Sequence, residues 1–231
     1  MENLLINYIL TTENGSKHTF KFQLDRKSLD LIGFIPETLP SWTQLGFHQC
    51  KHCPLSADEY PYCPVASNLV GIVTSFEGIP SYEKMHVKVI TDERIISHNT
   101  TAQIGISSMM GFVMATAGCP HTAFFKPMAR FHLVLASDEE TAYRATSMYL
   151  LSQYFKNRDG RKADLELTGL MEIYENIQIV NIAIAERLRA AAKEDSSINA
   201  LILLDIRAWE LRMEIEKSLE DIRYMFQPYL T

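Results

Sequence analysis

The chain has 231 residues, with 22 Lys plus Arg against 28 Asp plus Glu, a net charge of −6 and 47% hydrophobic residues. This balance belongs to a folded globular protein with material for a sizeable core, and it excludes disordered, collagenous and disulfide-toxin chains. The acidic balance offers no general attraction for phosphate, so no nucleic-acid partner is expected.

The opening Met1-Glu2-Asn3-Leu4-Leu5 has neither a basic n-region nor a long apolar h-region, and the expected location is the cytoplasm. Residues 7–12 and 18–24 alternate around Glu13-Asn14-Gly15-Ser16, an Asn-Gly hairpin signal. Residues 33–62 hold Pro36, Pro40, Pro54 and Pro61, which predicts an irregular connection held by something other than backbone ladders. Pro64 opens a predicted helix over 65–76. Residues 85–90 and 94–96 predict two more strands around Thr91-Asp92-Glu93.

From Ile95 through Phe125 there is no Asp, Glu, Lys or Arg, and residues 104–117 are apolar around the helical circumference. This predicts a buried central helix. It is too short to span a bilayer core of about 30 Å, and no membrane partner is expected. Gly118 is a C-terminal cap for it. Ser137-Asp138-Glu139-Glu140 is a capping-box pattern opening a helix to about Phe155.

Two long helices follow, over 165–193 and 196–226, with a break and N-cap at Glu194-Asp195-Ser196. In the second, Leu204, Ala208, Leu211, Ile215, Leu219, Ile222 and Phe226 make one apolar stripe, and Ile198, Ile202, Ile206, Trp209 and Met213 make another beside it. One stripe covers the partner helix; the other covers either the domain body or a second subunit. The expected architecture is therefore α+β: a small antiparallel sheet of about four strands, a buried central helix and a long C-terminal helical hairpin. Residues 1–157 would form a metal-binding α+β domain, and 158–231 a hairpin packed on it or used for oligomerisation.

The four cysteines carry the chemistry. Cys50-x2-Cys53 is followed by Cys63 and Cys119, a complete soft-ligand set with no spare thiol, as in a closed structural zinc site. In a reducing compartment these thiols are not expected to form disulfides. Cys53, Cys63 and Cys119 each precede a proline, which fixes the chain direction beside the sulfur. An iron–sulfur cluster also takes four cysteines, although the compact C-x2-C-x2-C spacing is missing. A redox-active Cys50/Cys53 pair and unligated buried thiols remain open alternatives.

His52 and His121 flank the cysteines as hydrogen-bond donors behind the ligands, as packed residues or as substitute zinc ligands, or as proton carriers if one ligand position opens to water. Lys126-Pro127-Met128-Ala129-Arg130-Phe131-His132 places Arg130 and His132 between apolar neighbours, either as a pocket for an anion or as a structural ion pair. Ser107 and Ser108, inside the apolar helix, would line a small pocket with Thr116. Met109, Met110 and Met114 read as core filling. No G-x-S-x-G elbow, Walker loop, dinucleotide fingerprint or H-E-x-x-H motif occurs.

The strings Cys50-Lys51-His52-Cys53-Pro54-Leu55, Tyr62-Cys63-Pro64-Val65-Ala66 and Gly118-Cys119-Pro120-His121, with Pro127-Met128-Ala129-Arg130-Phe131-His132, resemble an uncharacterised bacterial family with a domain-of-unknown-function label. The resemblance covers roughly Phe47 to Tyr154. It implies a bacterial source and treats the Cys, His and Arg positions as one unit, and it implies no activity, substrate or cofactor.

Two functional expectations follow. The first is a zinc-stabilised binding or regulatory protein whose C-terminal helices serve self-association or a protein partner. The second is an iron–sulfur or thiol-based redox sensor or enzyme using the same cysteines, with His121, Arg130 and His132 nearby.

Overall fold

Period-two alternation in the N-terminal half sets one face of a sheet toward the core. The computed structural model describes residues 3–191 and 195–230, and its strands are β1 (Leu4–Thr12), β2 (Lys17–Leu24), β3 (Lys84–Thr91) and β4 (Ile95–Thr101). They form one antiparallel sheet in the order β2-β1-β3-β4. Register places Tyr8 opposite both Phe20 and Val89, and Leu10 opposite Val87. Leu4, Ile6, Tyr8, Leu10, Phe20, Phe22, Met85, Val87 and Val89 are all buried on that face. The expected Asn-Gly turn is locked by Asn14, whose Oδ1 accepts from Thr12 Oγ1 at 2.6 Å and from Ser16 N at 2.9 Å.

Helix α1 (Pro64–Ser75) starts with Pro64 in its first turn, and Cys63 is its N-cap residue. Helix α2 (Ala102–Thr116) is the expected central helix. With no charge to solvate, it buries residues on every side, among them Ile106, Met109, Met110 and Val113. Gly118, at φ +85°, turns the chain out of α2 towards Cys119. The approach of α2 to the sheet depends on Gly105. A Cβ there would lie 2.8 Å from Val87 Cγ2 and 3.3 Å from Leu10 Cδ2.

After the short helix α3 (Lys126–Arg130), helix α4 (Asp138–Arg158) opens with the full capping box. Ser137 Oγ accepts from Glu140 N at 3.1 Å, and Ser137 N donates to Glu140 Oε2 at 2.8 Å. Helix α5 (Thr168–Ala191) begins three residues after the expected Leu165. The Asp164 carboxylate accepts from Glu166 N, Gly169 N and the Tyr149 hydroxyl, which holds 164–167 outside the helix.

Helix α6 (Ser196–Ile222) runs antiparallel beside α5. Of the expected break, Lys193 and Glu194 lie outside the described residues. Asp195 does not cap α6 with its side chain; its carboxylate accepts from Ser81 N, Ser81 Oγ and Asn199 Nδ2. The two apolar stripes of α6 have different fates. Ala208, Leu211, Ile215 and Ile222 are buried against α2, α4 and α5, whereas Ile202, Ile206, Trp209 and Met213 are exposed, Trp209 at 49% and Met213 at 59%. No helix among the described residues is long and apolar enough to cross a membrane.

Gly105→Ala tests the helix–sheet approach. Val87 is β-branched and held in a strand, so it cannot yield cheaply. The substitution is expected to cost about 1–3 kcal/mol, read as a lower denaturant midpoint with an unchanged m-value.

Candidate functional site at the four cysteines

The cysteines are borne on three pieces of chain. Cys50 and Cys53 sit on a turn closed by Cys53 N donating to Cys50 O at 2.9 Å. Cys63 is buried at the start of α1, and its N–H donates to Thr43 O at 2.7 Å. Cys119 follows the end of α2, and its carbonyl accepts from Thr122 N and Ala123 N. All four are free thiols. His48, just before this turn, is held at φ +45°, an uncommon conformation for a non-glycine residue.

The thiols influence one another. Burial pushes the Cys50 thiol up to about 12, and negative charge on Cys63, Cys119 and Cys53 adds to the effect, while Arg187 opposes it. The Cys119 thiol is also raised, chiefly by burial. Against that, the backbone N–H groups of Thr122 and His121 act on its sulfur in the direction that favours thiolate. As the side chains stand, no group of three or more His, Cys, Asp or Glu among the described residues is spaced to hold a metal ion.

Arg187, on α5, is the residue that sequence reasoning missed. It is 1% exposed. Its Nη1 donates to the carbonyls of Trp42 and Gln44, both at 2.7 Å, and its Nη2 donates to that of Leu45 at 2.9 Å. These bonds anchor the proline-rich connection, which is otherwise tied by few backbone pairs, such as the bridge between Gln44 and Tyr62. The Arg187 Nε has no hydrogen-bond partner among the described residues. Burial disfavours its charge, and Cys63, Cys50 and Cys53 favour it. A signal existed in the sequence. Val180, Ile184, Arg187 and Leu188 fall at helical steps on one face, so a cation stands in an apolar stripe.

His52 and His121 lie together. Their rings stack with centroids 3.9 Å apart and planes 7° from parallel. His52 Nε2 donates to Asn176 O at 3.1 Å, and His121 Nε2 donates to His52 O at 3.0 Å. Both acceptors are carbonyls, so each Nε2 carries its proton. The pair stitches the Cys50–Cys53 turn to α5 and to the segment after Cys119. Burial, with His121 and Lys51 adding to it, holds the His52 imidazole below its usual range.

Arg130 and His132 make their contacts elsewhere. Arg130 Nη2 pairs with Glu93 Oε1 at 3.3 Å, and its guanidinium lies 5.2 Å from the centre of the Phe131 ring. His132 is hydrogen-bonded through Nε2 to the Tyr8 hydroxyl and packs against Phe112. Burial drives the His132 imidazole down to about 3, and Arg144 adds to the effect. Ser107 and Ser108 border a cavity, but with Thr122 and not with Thr116, whose hydroxyl bonds Phe112 O and Val113 O.

These features define an α+β protein with four free thiols, Cys63 buried and the other three half-buried, on the segments around a buried arginine. The chain belongs to a family described as a domain of unknown function (DUF6901), whose model matches residues 6–227. The match reaches beyond the Phe47–Tyr154 segment that carries the sequence resemblance and takes in the N-terminal hairpin and the C-terminal helices. No curated protein and no solved structure matches the chain.

Partly buried imidazoles make stability depend on pH. His132, His52 and His18 all titrate lower in the fold than in the unfolded chain, so the unfolded chain takes up protons first as pH falls below about 6.5. Stability present at pH 7 is therefore expected to drop between about pH 6.5 and 4.5, above the range where most carboxylates titrate. Urea midpoints should show this slope, and His132→Phe should make it shallower. An equal slope in wild type and variant would contradict the assignment.

Proposed function

We propose that the protein is a zinc-stabilised binding or regulatory protein in which Cys50, Cys53, Cys63 and Cys119 together hold one structural metal ion. The observation that carries this reading is Arg187. A buried guanidinium is costly unless it meets a negative charge, and no carboxylate pairs with it among the described residues. Besides the three carbonyls it bonds, the groups that favour its charge are the thiols of Cys63, Cys50 and Cys53. A zinc ion with four thiolates is doubly negative, and it would supply the counter-charge that Arg187 lacks.

The donor set matches the group in kind and number, though not in its present spacing: four soft ligands, no spare thiol, and N–H groups that favour thiolate at Cys119. Binding has to draw the loop-borne Cys50 and Cys53 together with Cys63 and Cys119, so metal affinity would be spent on fixing the proline-rich connection. With four protein ligands no coordination position is left for substrate, which favours binding or regulation over catalysis. Reduced thiols suit the cytoplasm. The exposed stripe Ile202, Ile206, Trp209 and Met213 supports a role for α6 in self-association or in holding a protein partner.

Single replacement of Cys53 or Cys119 by serine tests the ligand set. Each is expected to lower bound zinc and to reduce Tm by about 5 °C or more, matching the effect of a strong chelator on the wild type. Unchanged Tm in both variants and under chelator would overturn the proposal. Iron with visible absorption would move the same cysteines to the redox reading. For α6, Trp209→Glu is expected to abolish any concentration-dependent association seen by sedimentation, and a wild-type chain that stays monomeric would remove that part of the reading.

A further inference from the structure

A second site lies on the other side of the segment that follows Cys119. Between α2, α4, α5 and α6 the structure holds a cavity of roughly 190 Å³. For scale, an apolar cavity of about 150 Å³ accommodates a benzene ring. Its walls are mainly apolar, formed by side chains such as Phe112, Phe125, Tyr174 and Leu204. A few polar groups converge on it, the usual composition of a small-molecule pocket.

Two of those polar groups are left without adequate partners. Ser107 is fully buried in α2, borders the cavity, and its Oγ has no hydrogen-bond partner among the described residues. Such a hydroxyl inside a core is costly unless something bonds it. Arg144, on α4, also borders the cavity. Its Nη2 donates to the carbonyls of Met128 at 2.8 Å and Phe131 at 3.0 Å, and no carboxylate pairs with it among the described residues. Glu140 acts on it only at longer range and is engaged in the capping box of α4.

The sign of the lining is uniform. Among the described residues that border the cavity, Arg144 and Arg207 are the charged ones and none is Asp or Glu, although the chain as a whole carries −6. Arg207 is met by Asp138 at 3.4 Å, which leaves Arg144 as the cation available to a ligand. We infer that this cavity is a binding site for a small organic monoanion, a carboxylate on an apolar body about the size of one aromatic ring. The carboxylate would pair with Arg144, the apolar body would fill the space among the aromatic and aliphatic walls, and Ser107 would donate its hydroxyl proton to the ligand. This site is separate from the cysteines and does not rest on the metal proposal.

Calorimetric titration of the full chain with phenylacetate, set against benzyl alcohol as a neutral body of similar size, tests the inference. The expected result is saturable one-site binding of phenylacetate, with benzyl alcohol weaker by about tenfold or more. Arg144→Met should weaken phenylacetate by about 10- to 100-fold and remove the preference over the alcohol. Arg144 also bonds two carbonyls, so Ser107→Ala is the variant that must fold normally: the hydroxyl it deletes has no partner. It should leave Tm unchanged or raised and weaken phenylacetate by about 3- to 10-fold. No saturable binding of phenylacetate, equal affinity for the neutral alcohol, or affinity unaltered in Ser107→Ala would each overturn the site.

Discussion

Arg187, buried and with no carboxylate partner among the described residues, ties helix α5 to the connection that leads into the cysteines. Arg187 projects from α5 and takes up three carbonyls of the segment 42–45, and its Nε has no hydrogen-bond partner among the described residues. Hydrogen bonds to carbonyls satisfy its donors in part, but they do not neutralise its charge. The arginine therefore has two consequences. It fixes an irregular, proline-bearing connection that lacks a backbone ladder, and it opposes the rise that burial imposes on the Cys50 thiol.

The rest of the fold places that cation and its thiols. The sheet buries one face on α2, and Gly105 allows the helix to come close enough for Leu10 and Val87 to pack against its backbone. The position of α2 then sets Cys119 at its C-terminal end and the wall of the cavity along its flank. Segment 119–125 separates the two. Thr122 illustrates the link: its hydroxyl donates to Met114 O at 2.5 Å, its N–H acts on Cys119, and its side of the segment borders the cavity. Rearrangement at the thiols would be felt through this short segment, because packed elements transmit displacement.

Much of this was legible in the sequence, for reasons that differ by element. The Asn14-Gly15 hairpin, the charge-free central helix and the Ser137–Glu140 capping box are local signals, in which neighbours in sequence decide the structure. The spacing of the cysteines is a local signal too, since the C-x2-C turn and the Cys-Pro steps constrain each piece of chain. Other features were long-range and gave weaker signals. His52 and His121 meet by stacking, and Arg130 finds Glu93 at the turn between two strands; neither pairing has a sequence spacing that would reveal it. Asp195 turned to Ser81 instead of capping its own helix, a tertiary bond overriding a local preference. In the second stripe of α6, Ile198 packs on the core whereas Ile202, Ile206, Trp209 and Met213 are exposed, a difference that periodicity does not show.

We propose that the four cysteines bind one zinc ion as thiolates, and the metal content of the protein purified without added metal tests this most directly. The account predicts about one zinc per chain and a featureless visible spectrum, as expected of a closed-shell ion with four sulfur ligands. Protein free of metal, and unable to retain zinc after reconstitution, would contradict it and leave Arg187 as a structural tie to the 42–45 carbonyls alone.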